Sequence, residues 1–463
     1  MTRIPAPRDR VSVDPAQLGS SRFQLAHGTR LACYAGSMYK GISSVEMVVA
    51  LAHAGLLGFL GTGGVPLAQV EQMLVEMRSR LCDASNWGAN LLCTYADPVR
   101  EEALVDLYLA HGVRHIEASA FLRVTPALVR FRFSGARRMS DGTVVAPNAV
   151  IVKLSRPDVA AQFMRPAPAG MVEALAANGQ LTHAEAEAAL HAPVAEDICV
   201  EADSAGHTDR GVAFVLLPLV QDLRDEILTR SAAAPSIRVG LAGGLGTPRA
   251  LAAAFALGSD FVATGSINQC SVEADISDAA KDLLQSAGVM DTTFAPAGDM
   301  FEIGAKVQVL AAGLQFPARA NKLYELYVRH EGIEALDART RALLEEKYFA
   351  ANMDEVWEQT RQYCQRECPA ELDKAMKLPK HRMALMFRWY FARTSRLARE
   401  GNPQDQTNFQ IHCGPAMGAF NLWARGTPFE HWKHRRVAEV LEALMSGAAG
   451  HLSQPSLYRE NIQ

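Results

Sequence analysis

Glycines cluster at two points of the sequence that could hold an anion. The stretch VGLAGGLGTPRALAAAFALGSDFVATGS ends at Ser266; Gly243 and Gly244 follow one short apolar run, and Gly265 and Ser266 follow the next. Glycine lets backbone N–H groups approach a phosphate closely, and the N-terminus of a following helix attracts negative charge. The alternative is that these glycines only form tight turns. We favour phosphate binding because both glycine clusters directly follow apolar runs, where a strand would end and a helix would begin.

Polar side chains also lie in or just beyond runs that are otherwise rich in Val, Ile, Leu and Ala. They are Asn90, Lys153, Glu201, Asp203 and His207. Burying such a group without a hydrogen-bond partner costs on the order of 1–3 kcal/mol. We therefore expect them to share a site at which a cofactor supplies partners, although Lys153 could instead extend to solvent and His207 could only order its own turn.

A regular alternation of short apolar runs and amphipathic stretches positions these groups. Ser43 and Ser44, Pro66, and Thr247 with Pro248 are predicted starts of intervening helices. Eight runs are predicted as strands: 31–35, 56–61, 87–95, 113–119, 149–155, 197–203, 237–243 and 260–266. Eight βα units in about 240 residues favour a closed (β/α)₈ TIM barrel of the α/β class over an open sheet. A hairpin at 135–145 and helices within 171–192 are predicted insertions.

The sequence after residue 266 has a different character. The short apolar runs that predict strands become rare, and we predict helices over 276–290, 300–313 and 319–400. The FRWYF run at 387–391 is predicted to lie in a helix core. The predicted domains are a barrel with an N-terminal extension at 1–318, a helical lid or substrate-binding region at 319–400, and a C-terminal segment at 401–463 that packs back on the barrel.

Composition narrows the classes of function. The 463 residues carry 46 Lys and Arg against 50 Asp and Glu, a formal net charge of −4, so no overall basic field favours nucleic acid. No apolar run is long enough for a membrane span, and the first ten residues lack the apolar core of a signal peptide, which predicts a cytoplasmic protein that does not enter a membrane. The eight cysteines show no paired CxxC spacing, which favours free thiols over a metal site.

Several stretches together resemble a family of flavin barrels. GSMYKGISS, AHAGLLGFLGTGG, WGANLL, EADSAGHTD and the glycine-rich stretch above are similar to bacterial flavin-dependent enoyl-acyl-carrier-protein reductases and nitronate monooxygenases. GSINQCSVEADISDAAKDLL, DMFEIGAKVQVLAAG and PKHRMALMFRWY resemble a narrower group, the trans-acting enoyl reductases of polyunsaturated fatty acid synthases and trans-acyltransferase polyketide synthases. The resemblance runs from about Phe23 to His451.

The resemblance implies a tightly bound FMN, reduced by NADPH or NADH, that passes hydride to the β-carbon of an enoyl thioester. Lys153 would bring positive charge to the N1–C2 edge of the flavin, and Asp203 would either orient the ribityl chain or satisfy backbone groups. The other implied cofactor contacts are the FMN phosphate on Gly243, Gly244, Gly265 and Ser266, the ring system beside Gly36, Ser37 and Met38, and a hydrogen bond between Asn90 and the cofactor.

His207 matches the histidine of the family's SGGHTD-type loop and is the candidate catalytic residue, because an imidazole can donate a proton or hydrogen-bond a thioester carbonyl. Ala205 departs from that motif, which usually has a second glycine there. If the position requires a left-handed backbone, alanine would strain the loop and displace His207.

The resemblance also implies acyl carrier protein domains as partners. Because these are acidic, candidate docking patches are Arg137-Arg138, Lys377-Lys380-Arg382 and Lys433-His434-Arg435-Arg436, with solvated charged faces as the alternative. Two other functions stay open, namely nitronate oxidation with O₂ and a non-catalytic assembly subunit. A homodimer is not distinguished from a monomer.

Overall fold

A computed structural model describes residues 13–82, 85–93, 97–229 and 237–453. They form two compact units, here called the barrel unit and the second unit. The barrel unit comprises the described parts of Met1–Asp203, Arg210–Asp275 and Trp423–Gln463, and the second unit comprises Ser204–Asp209 and Ile276–Leu422. The domain limits predicted from the sequence were 318/319 and 400/401, so the compact units are divided at other points.

Strands occur in both units. In chain order they are β1 (Cys33–Ala35), β2 (Leu57–Leu60), β3 (Trp87–Leu92), β4 (His115–Ser119), β5 (Arg137–Arg138), β6 (Val144–Val145), β7 (Ala149–Leu154), β8 (Asp197–Glu201), β9 (Gly206–His207), β10 (Arg238–Ala242), β11 (Val262–Thr264), β12 (Thr292–Pro296) and β13 (Lys306–Leu310).

Helices surround the strands. In chain order they are α1 (Ser21–His27), α2 (Val45–His53), α3 (Leu67–Arg80), α4 (Pro98–Ala110), α5 (Pro126–Phe133), α6 (Pro157–Phe163), α7 (Ala169–Ala177), α8 (His183–Ala189), α9 (Ala213–Thr229), α10 (Pro248–Ala256), α11 (Asp278–Ser286), α12 (Phe316–Arg329), α13 (Ala338–Leu343), α14 (Met353–Glu367), α15 (Pro369–Lys377), α16 (Pro379–Glu400), α17 (Ala416–Ala424) and α18 (Val437–Leu452).

Eight parallel strands close the barrel in the order β1-β11-β10-β8-β7-β4-β3-β2. The predicted TIM barrel is therefore confirmed, although positions 94 and 95 of the third predicted strand lie outside the described residues. The helix starts also follow the prediction: the Ser44 hydroxyl accepts the Met47 N–H at 3.0 Å, and the Thr247 hydroxyl accepts the Ala250 N–H at 3.3 Å. The predicted insertions contain the hairpin β5–β6 and helices α7 and α8.

A buried ionic cluster lies at the amino ends of the barrel strands. Arg238 donates two hydrogen bonds to Asp197, at 2.6 and 2.7 Å, and His27 Nε2 lies 2.9 Å from the same carboxylate. Burial would raise the pKa of Asp197, but His27 and Arg238 hold it well below its usual range. The ring of His115 lies 4.9 Å from that of His27, and burial lowers the pKa of His115 to about 3.

The second unit combines an antiparallel sheet, in the order β12-β13-β9, with helices α11 to α16. The predicted helix at 300–313 is wrong, because this stretch contains β13. The chain forms a strand here because β13 pairs with β12 on one side and with β9 on the other, and Val307 and Val309 are buried within that sheet. Phe387, Tyr390 and Phe391 are buried in the core of this unit, as predicted for the FRWYF run.

A helix that spans a membrane needs about 20 predominantly apolar residues. Within the described part of the chain, no helix is both long and apolar enough to cross a membrane.

Candidate active site

The carboxyl ends of the barrel strands gather the residues predicted to bind the cofactor. Gly36 follows β1, Asn90 lies in β3, Lys153 in β7 and Asp203 just after β8, while Gly243 and Gly265 follow β10 and β11. Closure places β10 beside β11, with Ala242 paired to Ala263. The two glycine loops are therefore neighbours at the end of the barrel where enzymes of this fold carry their active sites.

Glu117 in β4 was not predicted, and it organises this end of the barrel. Its side chain is fully buried. The Tyr34 hydroxyl donates to it at 3.0 Å, the Ser37 N–H donates at 3.0 Å, and the Ser37 hydroxyl donates as well. The signal that could have found Glu117 is the one used for Lys153, a charged residue within an apolar strand.

Lys153 is the cation of this site. Its ammonium lies 4.0 Å from a Glu117 oxygen and 3.6 Å from a Glu201 oxygen, and its side chain is only 19% exposed. Burial would lower the pKa of Lys153, but the carboxylates of Glu117 and Glu201 outweigh burial and raise it above the usual value. Lys153 is therefore held in its charged form, and the alternative of a lysine extended into solvent does not describe it.

Asn90 has a defined orientation. Its Nδ2 donates to the Glu117 carbonyl oxygen at 2.9 Å and to the Ser119 hydroxyl at 3.1 Å. Both amide hydrogens are thereby used within the barrel. A Cβ added to Gly63 would lie 3.1 Å from Asn90 Oδ1, so glycine keeps the space beside this oxygen open. The side chain can thus offer a bound group an acceptor, but not a donor.

The segment Gly36–Met38 is held rigidly after β1. The Gly36 N–H donates to the Thr264 carbonyl at 2.9 Å, and the Met38 N–H donates to the Ser43 hydroxyl at 2.8 Å. With the Ser37 N–H on Glu117, all three backbone donors have partners within the barrel unit. This segment can therefore contact a flat ring through its surface, whereas its N–H groups are already used.

The two glycine loops differ in how they use their glycines. Gly243 and Gly244 have left-handed backbones, with φ of +92° and +73°. A Cβ on Gly243 would approach the Ala202 carbonyl oxygen to 2.7 Å, so this glycine allows close packing of two loops. A Cβ on Gly244 or Gly265 would meet nothing within 4 Å. These two positions therefore border open space, and Ser266 begins the short 3₁₀ helix that follows.

Asp203 lies where the chain leaves the barrel. Its N–H donates to the Gly211 carbonyl at 2.8 Å, and its side chain is half-buried. This contact anchors the loop after β8 but does not separate the two roles considered for the carboxylate. Its part in cofactor binding stays a prediction.

His207 belongs to the second unit, where β9 pairs with β13. Its Nε2 lies 2.9 Å from Asp299 Oδ1. Burial would raise the pKa of Asp299, but the hydrogen bond and charge of His207 lower it below the usual value. Gly206, with φ of +81°, is the left-handed residue of this loop, and Ala205 does not have positive φ. The strain considered for alanine at position 205 is therefore absent.

The barrel site has the features that FMN requires. Glycines at 244 and 265 leave space beside two adjacent loops, as a phosphate needs. Lys153 supplies positive charge, and the Asn90 oxygen supplies an acceptor for a ring N–H group. The residues present therefore fit a phosphate-bearing ring system that accumulates negative charge.

A family model and two biosynthetic proteins match the sequence. The model, described as the inserted helical domain of [acyl-carrier-protein] S-malonyltransferase, matches residues 330–409. Polyketide biosynthesis protein PksE of Bacillus subtilis is 47% identical over 98% of this chain and 60% of its own length. A polyunsaturated fatty acid synthase subunit of Thraustochytrium sp. is 39% identical over 89% of this chain and 28% of its own length. The chain thus spans less than two thirds of either relative.

One solved structure matches this chain along nearly the whole length of both proteins. The enoyl reductase domain of MlnA, from the macrolactin biosynthesis cluster of Bacillus amyloliquefaciens, superposes with a TM-score of 0.91 and 40% identity. The match covers 95% of this chain and 98% of that one.

Proposed function

This chain belongs to the family of enoyl reductase domains that includes the one from the macrolactin cluster, and we propose that it reduces the α,β-double bond of enoyl thioesters. We further propose that FMN, reduced by NADPH or NADH, is its cofactor and that the substrates are carried by acyl carrier protein domains. The observation that carries the proposal is the 40% identity across 98% of a single enoyl reductase domain. PksE and the fatty acid synthase subunit support a role in polyketide or polyunsaturated fatty acid synthesis.

The two glycine loops would bind the FMN phosphate. Backbone N–H groups around Gly244 and Gly265 border the space that a side chain would otherwise fill, with Gly243 and Ser266 beside them. When bound, FMN supplies the hydride that is transferred to the substrate. The Gly36–Met38 segment, held by three hydrogen bonds to other parts of the barrel unit, would present a fixed surface to the ring system.

Lys153 would stabilise negative charge at the edge of the ring. Its ammonium is fixed by Glu117 and Glu201, and Glu117 is fixed in turn by Tyr34 and Ser37. Burial, together with Cys199 and Glu117, raises the pKa of Tyr34 well above its usual value, so the phenol stays protonated and keeps donating. A cation that is already held in place lowers the free-energy cost of developing negative charge on the ring, because the cation need not reorganise.

His207 would provide the proton for the α-carbon of the substrate. Asp299 accepts the hydrogen bond from Nε2 at 2.9 Å, which orients the imidazole. An oriented imidazole can transfer a proton near neutral pH, because the ordinary pKa of histidine is about 6.5.

The test uses the full chain and follows its flavin. After the protein is loaded with FMN, it is reduced anaerobically with NADPH or NADH, and reoxidation is followed on adding crotonyl thioester on a carrier protein. Reoxidation with formation of the saturated thioester supports the proposal. Reoxidation only by a nitronate with O₂ would instead indicate nitronate oxidation, and failure to bind FMN would indicate an assembly subunit.

A further inference from the structure

A basic loop of the barrel unit contacts the 3₁₀ helix that follows Gly265, one of the glycines proposed to bind the FMN phosphate. Residues 425–439, here called the basic loop, connect α17 to α18 and include the first turn of α18. They carry four basic residues, Arg425, Lys433, Arg435 and Arg436, against two acidic ones, in a chain whose net charge is −4. We infer that this loop is the docking surface for an acidic carrier protein domain. The inference rests on the proposed function, because it locates the partner of the same reaction.

Arg435 holds the loop in place and does not face a partner. It is only 2% exposed. Its guanidinium donates to the Phe429 carbonyl at 2.8 Å, to the Glu430 carbonyl at 3.0 Å and to Cys270 Sγ at 3.2 Å. The sequence placed Arg435 in the candidate docking patch, but its donors are used inside the protein.

Arg435 connects the basic loop to the 3₁₀ helix that begins at Ser266, beside the proposed phosphate site. Cys270 is the last residue of the 3₁₀ helix that begins at Ser266, and the Val272 N–H donates to the Arg435 carbonyl at 2.9 Å. A 3₁₀ helix rises about 2 Å per residue, so Ser266 lies within about 10 Å of Cys270. A carrier bound to this loop would therefore place its flexible prosthetic arm close to the cofactor site.

The exposed cations are available for a partner. The side chains of Arg425, Lys433 and Arg436 are exposed, as are the imidazoles of His431 and His434. In the part of the chain that the structure describes, the three cations make no ion pair. Lys433 Nζ lies 5.6 Å from the centre of the buried Trp432 ring, which restrains its side chain. Glu430, an acid in the loop, accepts the Gly426 N–H at 3.0 Å.

The other two patches predicted from the sequence are less suited to this role. Lys380 donates to the carbonyls of Tyr327 and His330, and Arg382 pairs with Glu334. Arg138 lies 3.4 Å from Glu187. Their charges are partly neutralised within the protein, whereas among the described residues no acid pairs with Arg425, Lys433 or Arg436. Charge complementarity with an acidic carrier therefore favours the loop at 425–439.

The test reverses charge on this surface. The variant Arg425→Glu/Lys433→Glu/Arg436→Glu is compared with Arg339→Glu/Arg366→Glu/Lys374→Glu, which reverses three exposed cations of the second unit outside the candidate patches. We expect KM for crotonyl carrier protein to rise about tenfold or more in the first variant only. The KM for crotonyl N-acetylcysteamine and for NADPH should not change. Added salt should raise the wild-type KM for the carrier and leave that of the first variant nearly constant.

Other outcomes overturn the inference. Equal losses with carrier-bound and carrier-free thioesters would indicate damage to the active site, and a change confined to NADPH would indicate a nucleotide surface. An unchanged KM for the carrier, or equal losses in both variants, would indicate a solvated face. A change in oligomeric state on size-exclusion chromatography that accounts for the loss would indicate contact with a second copy.

A binding measurement separates this inference from the proposed function. Fluorescence anisotropy of labelled, phosphopantetheinylated carrier protein needs no turnover. If the wild type binds the carrier and the first variant does not, the docking surface stands even when no enoyl thioester is reduced. If the wild type reduces free thioesters but neither protein binds the carrier, docking at this loop fails and the reductase proposal remains.

Discussion

Replacing Gly244 with alanine tests whether the glycine loops hold a phosphate. Gly244 has φ of +73°, and a Cβ there would meet nothing within 4 Å. Gly112 is a matched control: its φ is +68°, its Cβ would also meet nothing within 4 Å, and it precedes β4, away from the carboxyl ends of the strands. Both alanines carry the same conformational cost, about 1–2 kcal/mol for a left-handed residue.

The two variants should differ only in cofactor affinity. A methyl group at position 244 occupies the space in which a phosphate would accept backbone hydrogen bonds. Each lost hydrogen bond to a charged group is worth about 1.5–3 kcal/mol, and about 1.4 kcal/mol corresponds to tenfold in Kd. We therefore expect the FMN Kd to rise about 10- to 100-fold in Gly244→Ala and to stay unchanged in Gly112→Ala.

Gly243→Ala completes the series. Its Cβ would lie 2.7 Å from the Ala202 carbonyl oxygen, so the apoprotein should lose more stability than in either other variant. Flavin fluorescence titration of apoprotein gives Kd, and urea unfolding of apoprotein gives stability. If Gly244→Ala binds FMN as tightly as Gly112→Ala, the loop after β10 does not hold the phosphate, and this part of the cofactor assignment is wrong.

Three further predictions concern charge. Lys153→Met should slow flavin reduction by NADPH about 100-fold, because it removes the cation held by Glu117 and Glu201; stopped-flow rates equal to wild type would contradict this. His207→Gln should lower kcat for crotonyl thioester by about 10²–10⁴-fold with flavin reduction unchanged, and Asp299→Asn should lower it less; an unaffected kcat would exclude His207 as proton donor. His115 has a folded pKa of about 3, below its unfolded value, so its stabilisation is complete above about pH 6.5 and is lost as pH falls. Between pH 7 and 4.5 the wild type should lose about 2–3 kcal/mol more than His115→Gln in urea unfolding, and equal losses would refute the assignment.

Short apolar runs in the sequence predicted the barrel because a run of this kind indicates a buried strand. Each barrel strand is a short apolar run bounded by turn residues, and a strand buried on both faces requires that composition. The same reasoning failed at 300–313, where Val307 and Val309 alternate within a stretch that also contains helix-forming residues. Two valines are too few to distinguish the 3.6-residue period of a helix from the two-residue period of a strand. The stretch forms a strand because it pairs with β12 and β9.

The candidate site was predictable residue by residue, but not as a network. The sequence indicated Lys153 and Asn90 because polar groups in apolar strands need partners, yet it did not name those partners. Glu117 supplies them: it faces Asn90 across the β3–β4 pairing, and Ser119, two residues further on, faces Lys153 across β4–β7. These neighbours are far apart along the chain, so only the register of the closed barrel brings them together.

The sequence by itself determined the class of fold, the positions of the barrel strands and the two glycine loops, because these depend on local composition and on the backbone freedom of glycine. The tertiary structure decided which charges are neutralised. It paired Lys153 with two carboxylates, placed His207 on Asp299, and buried Arg435 while leaving Lys433 and Arg436 exposed. The residue type sets the charge and chemistry of a side chain, whereas its burial and its partners depend on what the rest of the chain packs against it.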